Sequence, residues 1–196
     1  ETHLFEERSF IGGGIVASAT PPGKDKLFWY SNYLTSQLED SNVSLHMGKR
    51  ATLSDIVSLS PDIAVLAAGT RRIELPIEGA DHTKVMDAYD LLMGDAEVGV
   101  APGGHVIVYG GGETGCETAE FCAEKGLKVT LVSRSPADKL ARSADWVYRG
   151  GLLRRLRANP LVTIIDNSHV RSVSDEGVLI ETNGSDGSET RTMAAD

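Results

Sequence analysis

Cysteine is almost absent from this chain of 196 residues, which holds two, Cys116 and Cys122. Both fall in one segment that reads as a helix, at positions the helix turns to different faces, so a mutual disulfide is set aside. With no C-x-x-C pair the chain suits a reducing compartment, and a cytoplasmic location is expected. Histidine is sparse at 5, and no spacing of His, Cys, Asp or Glu reads as a metal site. No apolar run approaches the roughly 20 residues of a membrane span, and no signal peptide is visible, so no membrane partner is expected. Basic charge is in deficit: 19 Lys and Arg stand against 28 Asp and Glu, a net charge of -9. That balance argues against non-specific binding to nucleic acid. Side-chain constellations for hydrolysis or acyl transfer are also lacking, so no catalytic residue is assigned. Nothing in the sequence bears on oligomeric state.

Glycine is abundant at 21, and its densest cluster organises the chain. From His105 the sequence runs HVIVYGGGETGCETAEFCAEKGLKVTLVSR. Val106, Ile107, Val108 and Tyr109 predict a buried strand. Three glycines follow, then a segment over 113–125 without Pro and with Gly115 as its one glycine. Ala119, Phe121, Cys122 and Ala123 give that segment the small and apolar groups of a helix packed on a sheet. Gly126 ends it, and residues 128–132 predict a second strand. In this order Gly110, Gly112 and Gly115 satisfy G-x-G-x-x-G in a strand–turn–helix context. Gly110 permits the tight turn, Gly112 lets backbone N–H groups approach a pyrophosphate, and Gly115 lets the helix lie close to the strand. The pyrophosphate would rest at the helix start, against Gly110, Gly111, Gly112, Glu113, Thr114 and Gly115. The alternative is a glycine-rich turn that binds nothing.

The end of the second strand bears on which dinucleotide. An Asp or Glu there accepts the ribose hydroxyls of NAD, whereas an Arg accommodates the 2′-phosphate of NADP. This chain has Ser133 followed by Arg134. A hydroxyl beside a guanidinium would bind a phosphate that a carboxylate would repel. NADP(H) is therefore favoured, with NAD(H) as the alternative; a solvated Ser-Arg pair is the competing reading.

Elsewhere the pattern predicts an α/β chain. Residues 2–5 read as the end of a strand, 8–14 as a loop, and 24–40 as a helix with Leu27, Tyr30, Leu34 and Leu38 on one face. A strand at 43–47, a helix at 53–59 and an apolar strand at 62–68 follow. The stretch 71–80 reads as a crossover between domains of 1–75 and 76–196. Residues 85–93 read as helical, 94–104 and 136–145 as loops. A helix is predicted over 146–158, with Leu152, Leu153 and Leu156 inward and Arg149, Arg154, Arg155 and Arg157 outward. Strands are predicted at 162–165, 170–173, 178–182 and 190–193, with Asn183-Gly184 as a hairpin signal and a polar turn over 183–189.

These segments together resemble the pyridine nucleotide–disulfide oxidoreductases. More narrowly, they resemble the C-terminal region of the group formed by 2,4-dienoyl-CoA reductase, enoate reductases (NADH:flavin oxidoreductases) and trimethylamine dehydrogenase. Leu4-Phe5-Glu6, Ile11-Gly12-Gly13, Pro21-Pro22-Gly23-Lys24, Val65-Leu66-Ala67-Ala68-Gly69, Gly110-Gly111-Gly112 and Gly115-Cys116-Glu117 carry the likeness from end to end. The resemblance implies a Rossmann-like, three-layer ββα nucleotide-binding domain inserted in a partial flavin-type nucleotide-binding domain. It implies that Glu6 holds an adenosine ribose of FAD and that Gly12 and Gly13 pass beneath the nucleotide. Ala67, Ala68 and Gly69 match an A-T-G turn in which Ala68 replaces Thr. Glu117 would lie near the nicotinamide, while Glu113 departs from the apolar or aromatic residue usual at its position.

By the same resemblance the chain would be a fragment, a middle portion of a longer flavoprotein, with FAD in the intact protein. FMN and an iron–sulfur cluster would belong to an upstream part. The expected role is the NAD(P)H-binding portion of a flavin-dependent oxidoreductase, inactive by itself, with the nicotinamide dinucleotide and the rest of the same polypeptide as partners. The alternative is a non-catalytic nucleotide-binding scaffold of the trimethylamine dehydrogenase type.

Overall fold

The computed structural model describes residues 1–71, 73–184 and 187–196. The chain divides into two compact units, one formed by Glu1–Ala19 and Gly23–Ile73, the other by Thr20–Pro22 and Glu74–Asp196.

In the first unit, β1 (Thr2–Glu6) pairs in parallel with β2 (Val43–Met47), and the register sets Glu6 opposite Met47. Across this pair the His46 ring stacks on Phe5 at 4.3 Å, and His3 Nδ1 lies 3.0 Å from His46 Nε2. The crossover contains α1 (Gly14–Ala19) and α2 (Lys26–Glu39). The helix α1 was not predicted, because its Gly-rich lead-in masks a six-residue element. In α2 the most buried residue is Ser31, with Leu27, Leu34 and Leu38 half-buried; Tyr30, expected on that face, is 53% exposed. The helix α3 (Leu53–Ser58) starts at a reciprocal cap between Thr52 and Asp55. Lys49 donates to Asp55 at 2.6 Å, and its ammonium holds that carboxyl well below the usual range.

The strand expected over 62–68 does not form. These residues take no regular structure, and Ile63, Val65 and Leu66 are exposed. An apolar segment becomes a strand only where a neighbour completes its ladder, and the described sheet of this unit ends with β1 and β2.

The second unit contains α4 (Ala88–Met93) and then β3 (His105–Tyr109), α5 (Glu113–Glu124), β4 (Lys128–Val132), α6 (Trp146–Ala158) and β5 (Val162–Ile165). The three strands form a parallel sheet in the order β3-β4-β5. An antiparallel meander follows: β6 (Ser168–Ser174), β7 (Gly177–Gly184) and β8 (Gly187–Met193). Alternation along the parallel strands builds two cores. Val106, Val108, Val129, Leu131 and Ile164 face the helices and meet Cys116, Ala119, Cys122, Leu152 and Leu156. Ile107, Tyr109, Val132 and Ile165 face the meander and meet Val170, Val178 and Ile180. A sheet buried on both faces explains the near-continuous apolar strands. The result is the expected three-layer ββα, Rossmann-like fold.

Caps set the helix ends. At the end of α5 the N–H of Leu127 reaches the Cys122 carbonyl and that of Gly126, at φ 81, reaches Ala123. Asp145 caps α6, accepting from Val147 and Tyr148. The meander strands are longer than expected and absorb most of the predicted polar turn. Asn183 and Gly184 close β7, pairing with Ser188 and Gly187; Ser185 and Asp186, which the predicted turn includes, lie outside the described residues.

Candidate functional site

The glycine shelf sits at the carboxyl end of β3, between that strand and α5. Gly110 leaves the strand at φ 132, where side chains are disfavoured, while its N–H still bonds the Val132 carbonyl at 2.9 Å. Gly115 is required by packing: a Cβ there would lie 1.8 Å from the Gly110 carbonyl oxygen. Gly111 is required from beneath, since its Cβ would meet Ser133 Oγ at 2.1 Å and Leu140 Cδ2 at 2.5 Å. Gly112 differs. It is the N-cap of α5, in extended conformation and without a side-chain cap bond, and a Cβ there would meet nothing. The shelf is thus pinned on its inner side and clear on its outer side, over the positive end of a twelve-residue helix. Glu113 is half-buried and Thr114 exposed at the same helix start.

At the end of β4, Ser133 and Arg134 part company. Ser133 is buried; its Oγ donates to the Ser135 carbonyl at 3.0 Å and accepts from the Ser135 N–H at 3.1 Å. The hydroxyl therefore shapes the turn and supports Gly111. Arg134 is exposed, and among the described residues no ion pair or hydrogen bond engages its guanidinium.

Glu117 is 5% exposed and accepts from the Tyr148 hydroxyl of α6 at 2.7 Å. Burial, and then that carboxylate, push the Tyr148 phenol well above its ordinary range, so it stays a neutral donor. One turn further on, Arg155 grips buried Glu120 through Nε at 2.5 Å and Nη2 at 3.0 Å. The carboxylate raises the guanidinium's affinity for its proton. Arg149 and Arg155, expected outward, instead turn back onto the protein; periodicity gives the face of a helix but not where a long side chain bends.

In the first unit, Glu6 Oε1 accepts the Arg8 N–H at 2.8 Å. Gly12, at φ 118, could not carry a side chain, since a Cβ would lie 2.6 Å from Ser31 Oγ; Gly13, at φ 44, faces open space. Ala67, Ala68 and Gly69 are exposed within the irregular stretch. A cavity of about 470 Å³ opens between the loop after β1 and α2, lined by Phe10, Ile11, Phe28, Asn32, Thr35 and Met47.

Residues 10–196 match the pyridine nucleotide-disulphide oxidoreductase family. The chain belongs to this family. Among its curated relatives, an NADH oxidase of Thermoanaerobacter brockii is 38% identical over 131 residues, covering 66% of this chain and 20% of that protein. A bilirubin reductase of Mediterraneibacter gnavus is 36% identical over 184 residues, covering 90% and 28%. The solved structure of 2-naphthoyl-CoA reductase in complex with 2-naphthoyl-CoA superposes with a TM-score of 0.86 at 26% identity, over 99% of this chain and 28% of that one. The chain thus spans between a fifth and a third of the length of these relatives.

The family's name implies a redox disulphide, and this chain's thiols do not fit one. Cys116 and Cys122 are free and buried on α5, and burial pushes both thiols up to about 11. Two such thiols also cannot hold an iron–sulfur cluster, and no group of three or more metal-binding side chains occurs among the described residues. No helix among the described residues is long and apolar enough to cross a membrane. What the sequence did not reveal is the support under the shelf: Leu140, Ala141, Arg149 and Asp166. Those contacts join residues far apart in the chain and carry no local motif.

Proposed function

We propose that the second unit binds a nicotinamide dinucleotide, NADPH in preference to NADH, as the hydride-donor side of a flavin-dependent oxidoreductase. The observation that carries this reading is the shelf, pinned by Gly115 and Gly111 and clear above Gly112 at the start of α5. That cradle is what a diphosphate needs, because backbone N–H groups and the helix dipole replace its water. Arg134, exposed and uncommitted to any ion pair or hydrogen bond among the described residues, would read the 2′-phosphate with its guanidinium fork. Glu117, held by Tyr148, sits one turn into the same helix and would set a negative charge near the nicotinamide end. Glu6, Gly12, Gly13, Ala67, Ala68 and Gly69 would hold part of FAD in the intact protein. When bound, the nicotinamide supplies the hydride and the flavin accepts it; the protein's residues bind, orient and exclude water.

Calorimetric titration with each coenzyme tests the reading. Binding of NADPH is expected, and Arg134→Ala should cut the NADPH-over-NADH preference by about tenfold, one charge-assisted contact's worth. An unchanged ratio defeats the NADP assignment, and the relative named as an NADH oxidase makes NADH the rival. A second reading, a nucleotide-binding scaffold without hydride transfer, is favoured by the inward Ser133 hydroxyl and by Glu113 at the helix start. Loss of flavin colour on adding NADPH to the intact flavoprotein excludes it.

A further inference from the structure

Arg149, in the first turn of α6, bends its guanidinium back onto the segment after β4. Its Nε donates to the Leu140 carbonyl at 2.7 Å and its Nη2 to the Asp138 carbonyl at 2.5 Å. One planar fork thus holds two carbonyls of a single turn, a geometry an ammonium cannot reproduce. On its other side that turn is tied to the glycine shelf. Ala141, at φ 48, donates its N–H to the Gly111 carbonyl at 2.8 Å. Leu140 is fully buried and fills the space that a side chain on Gly111 would need. The turn's leading edge is fastened as well: Asp166 accepts the Ala137 N–H at 2.7 Å, and Arg157 Nη2 donates to the Ala137 carbonyl at 3.0 Å. Between β4 and this fastening runs the exposed stretch that begins with Arg134.

We propose that Arg149 is a positioning residue for coenzyme recognition. It locks the 137–141 turn so that the shelf under the diphosphate and the Arg134 guanidinium beside the adenosine form one rigid surface. This inference rests on the reading of the second unit as an NADPH site. Arg149 itself touches no coenzyme atom; it acts through the Asp138 and Leu140 carbonyls, and through Ala141 to Gly111. Without the fork those carbonyls lose their donor and the turn loosens at both ends. A loosened turn weakens the grip on the diphosphate, which both coenzymes share. It also displaces Arg134, which only the 2′-phosphate needs.

The test measures dissociation constants for NADPH and NADH by calorimetry on the whole protein, with melting curves to confirm folding. Arg149→Gln should weaken NADPH about tenfold and NADH about threefold, as expected for loss of two hydrogen bonds from a charged donor. Arg149→Lys keeps the charge but not the fork and should stay near the Gln variant. Arg157→Gln, which frees one carbonyl, should lower the NADPH-over-NADH preference in the same direction by a smaller factor. Should the unsubstituted protein bind neither coenzyme, the nucleotide reading itself fails. If it binds NADPH and the Arg149 variants keep its affinity, or weaken both coenzymes equally, the positioning role is overturned while the site stands. If Arg149→Gln does not fold, an unchanged coenzyme ratio in both Arg149→Lys and Arg157→Gln overturns it.

Discussion

A methyl group on Gly115 would sit 1.8 Å from the Gly110 carbonyl oxygen, whereas one on Gly112 would meet nothing. The two alanine variants should therefore fail in opposite ways. Gly115→Ala must force α5 away from β3 and is expected to cost about 3 kcal/mol in denaturant unfolding, the upper range for overpacking. Gly112→Ala should cost no more than about 1 kcal/mol, the N-cap preference for Gly over Ala, since its extended backbone suits any residue. Coenzyme affinity should nevertheless fall about tenfold or more, because the methyl would occupy the place proposed for the diphosphate. Equal behaviour of the two variants would contradict the division of labour. The thiols make a second residue-level case. Burial raises Cys116 and Cys122 from 9.0 to about 11. The folded state thus favours the protonated form, and the stability this contributes is complete below pH 9 and lost as pH climbs toward 11. Iodoacetamide at pH 8 should leave both unmodified in the native protein and label both in urea. At this scale the sequence announced which residues form the shelf, because glycine spacing is local. It could not announce that the Ser133 hydroxyl turns inward, since that depends on Ser135 and Gly111 meeting it.

Between elements, the seam of α5 and α6 holds two polar contacts in an otherwise apolar core: Tyr148 on Glu117 and Arg155 on Glu120. Glu120 is 5% exposed while the Arg155 side chain is 45% exposed. Removing the arginine leaves a buried carboxylate with its partner gone, but water can reach part of the site. Arg155→Met should therefore cost about 2 kcal/mol, below the range for a fully buried pair. Much of that loss should return in the double variant Arg155→Met, Glu120→Gln, read as a coupling energy from unfolding midpoints. Strict additivity would mean the pair is not coupled. The elements themselves were largely legible. The helix α6 and strands β2, β4 and β5 lie where their apolar periodicity and flanking Gly, Pro and Asp signals put them. The helix α2 was found with Leu27, Leu34 and Leu38 on its packed face, but Tyr30, inward by type, is exposed, and the position that packs beside them is Ser31, whose hydroxyl bonds the Ile11 carbonyl at 3.1 Å. Hydrophobicity alone does not see a small polar residue that packs because it is small.

Over the whole molecule, the two units differ in how much of their order the chain supplies. In the second, every parallel strand is covered on both faces, which suits the strand–helix alternation and the meander read from the pattern; the three layers themselves were what the family resemblance implied. In the first, an apolar run that reads as a strand has no ladder, and among the described residues no backbone N–H of 61–74 donates a hydrogen bond. Composition proposes a strand; only a neighbour makes one. Ile63, Val65, Leu66 and Ile73 are each more than four-fifths exposed, and the boundary between the units falls at the end of this stretch. Amides there should exchange with solvent at rates near those of an unfolded chain, since neither burial nor hydrogen bonding slows them. Thermolysin, which cuts beside exposed apolar residues, should make its first cuts in the 196-residue chain between 61 and 73, and residues of β4 and α6 should survive in the accumulating product. First cuts within α5 or β4, or protection of 61–73 equal to that of the parallel sheet, would show that this stretch is ordered by contacts the described fold does not contain.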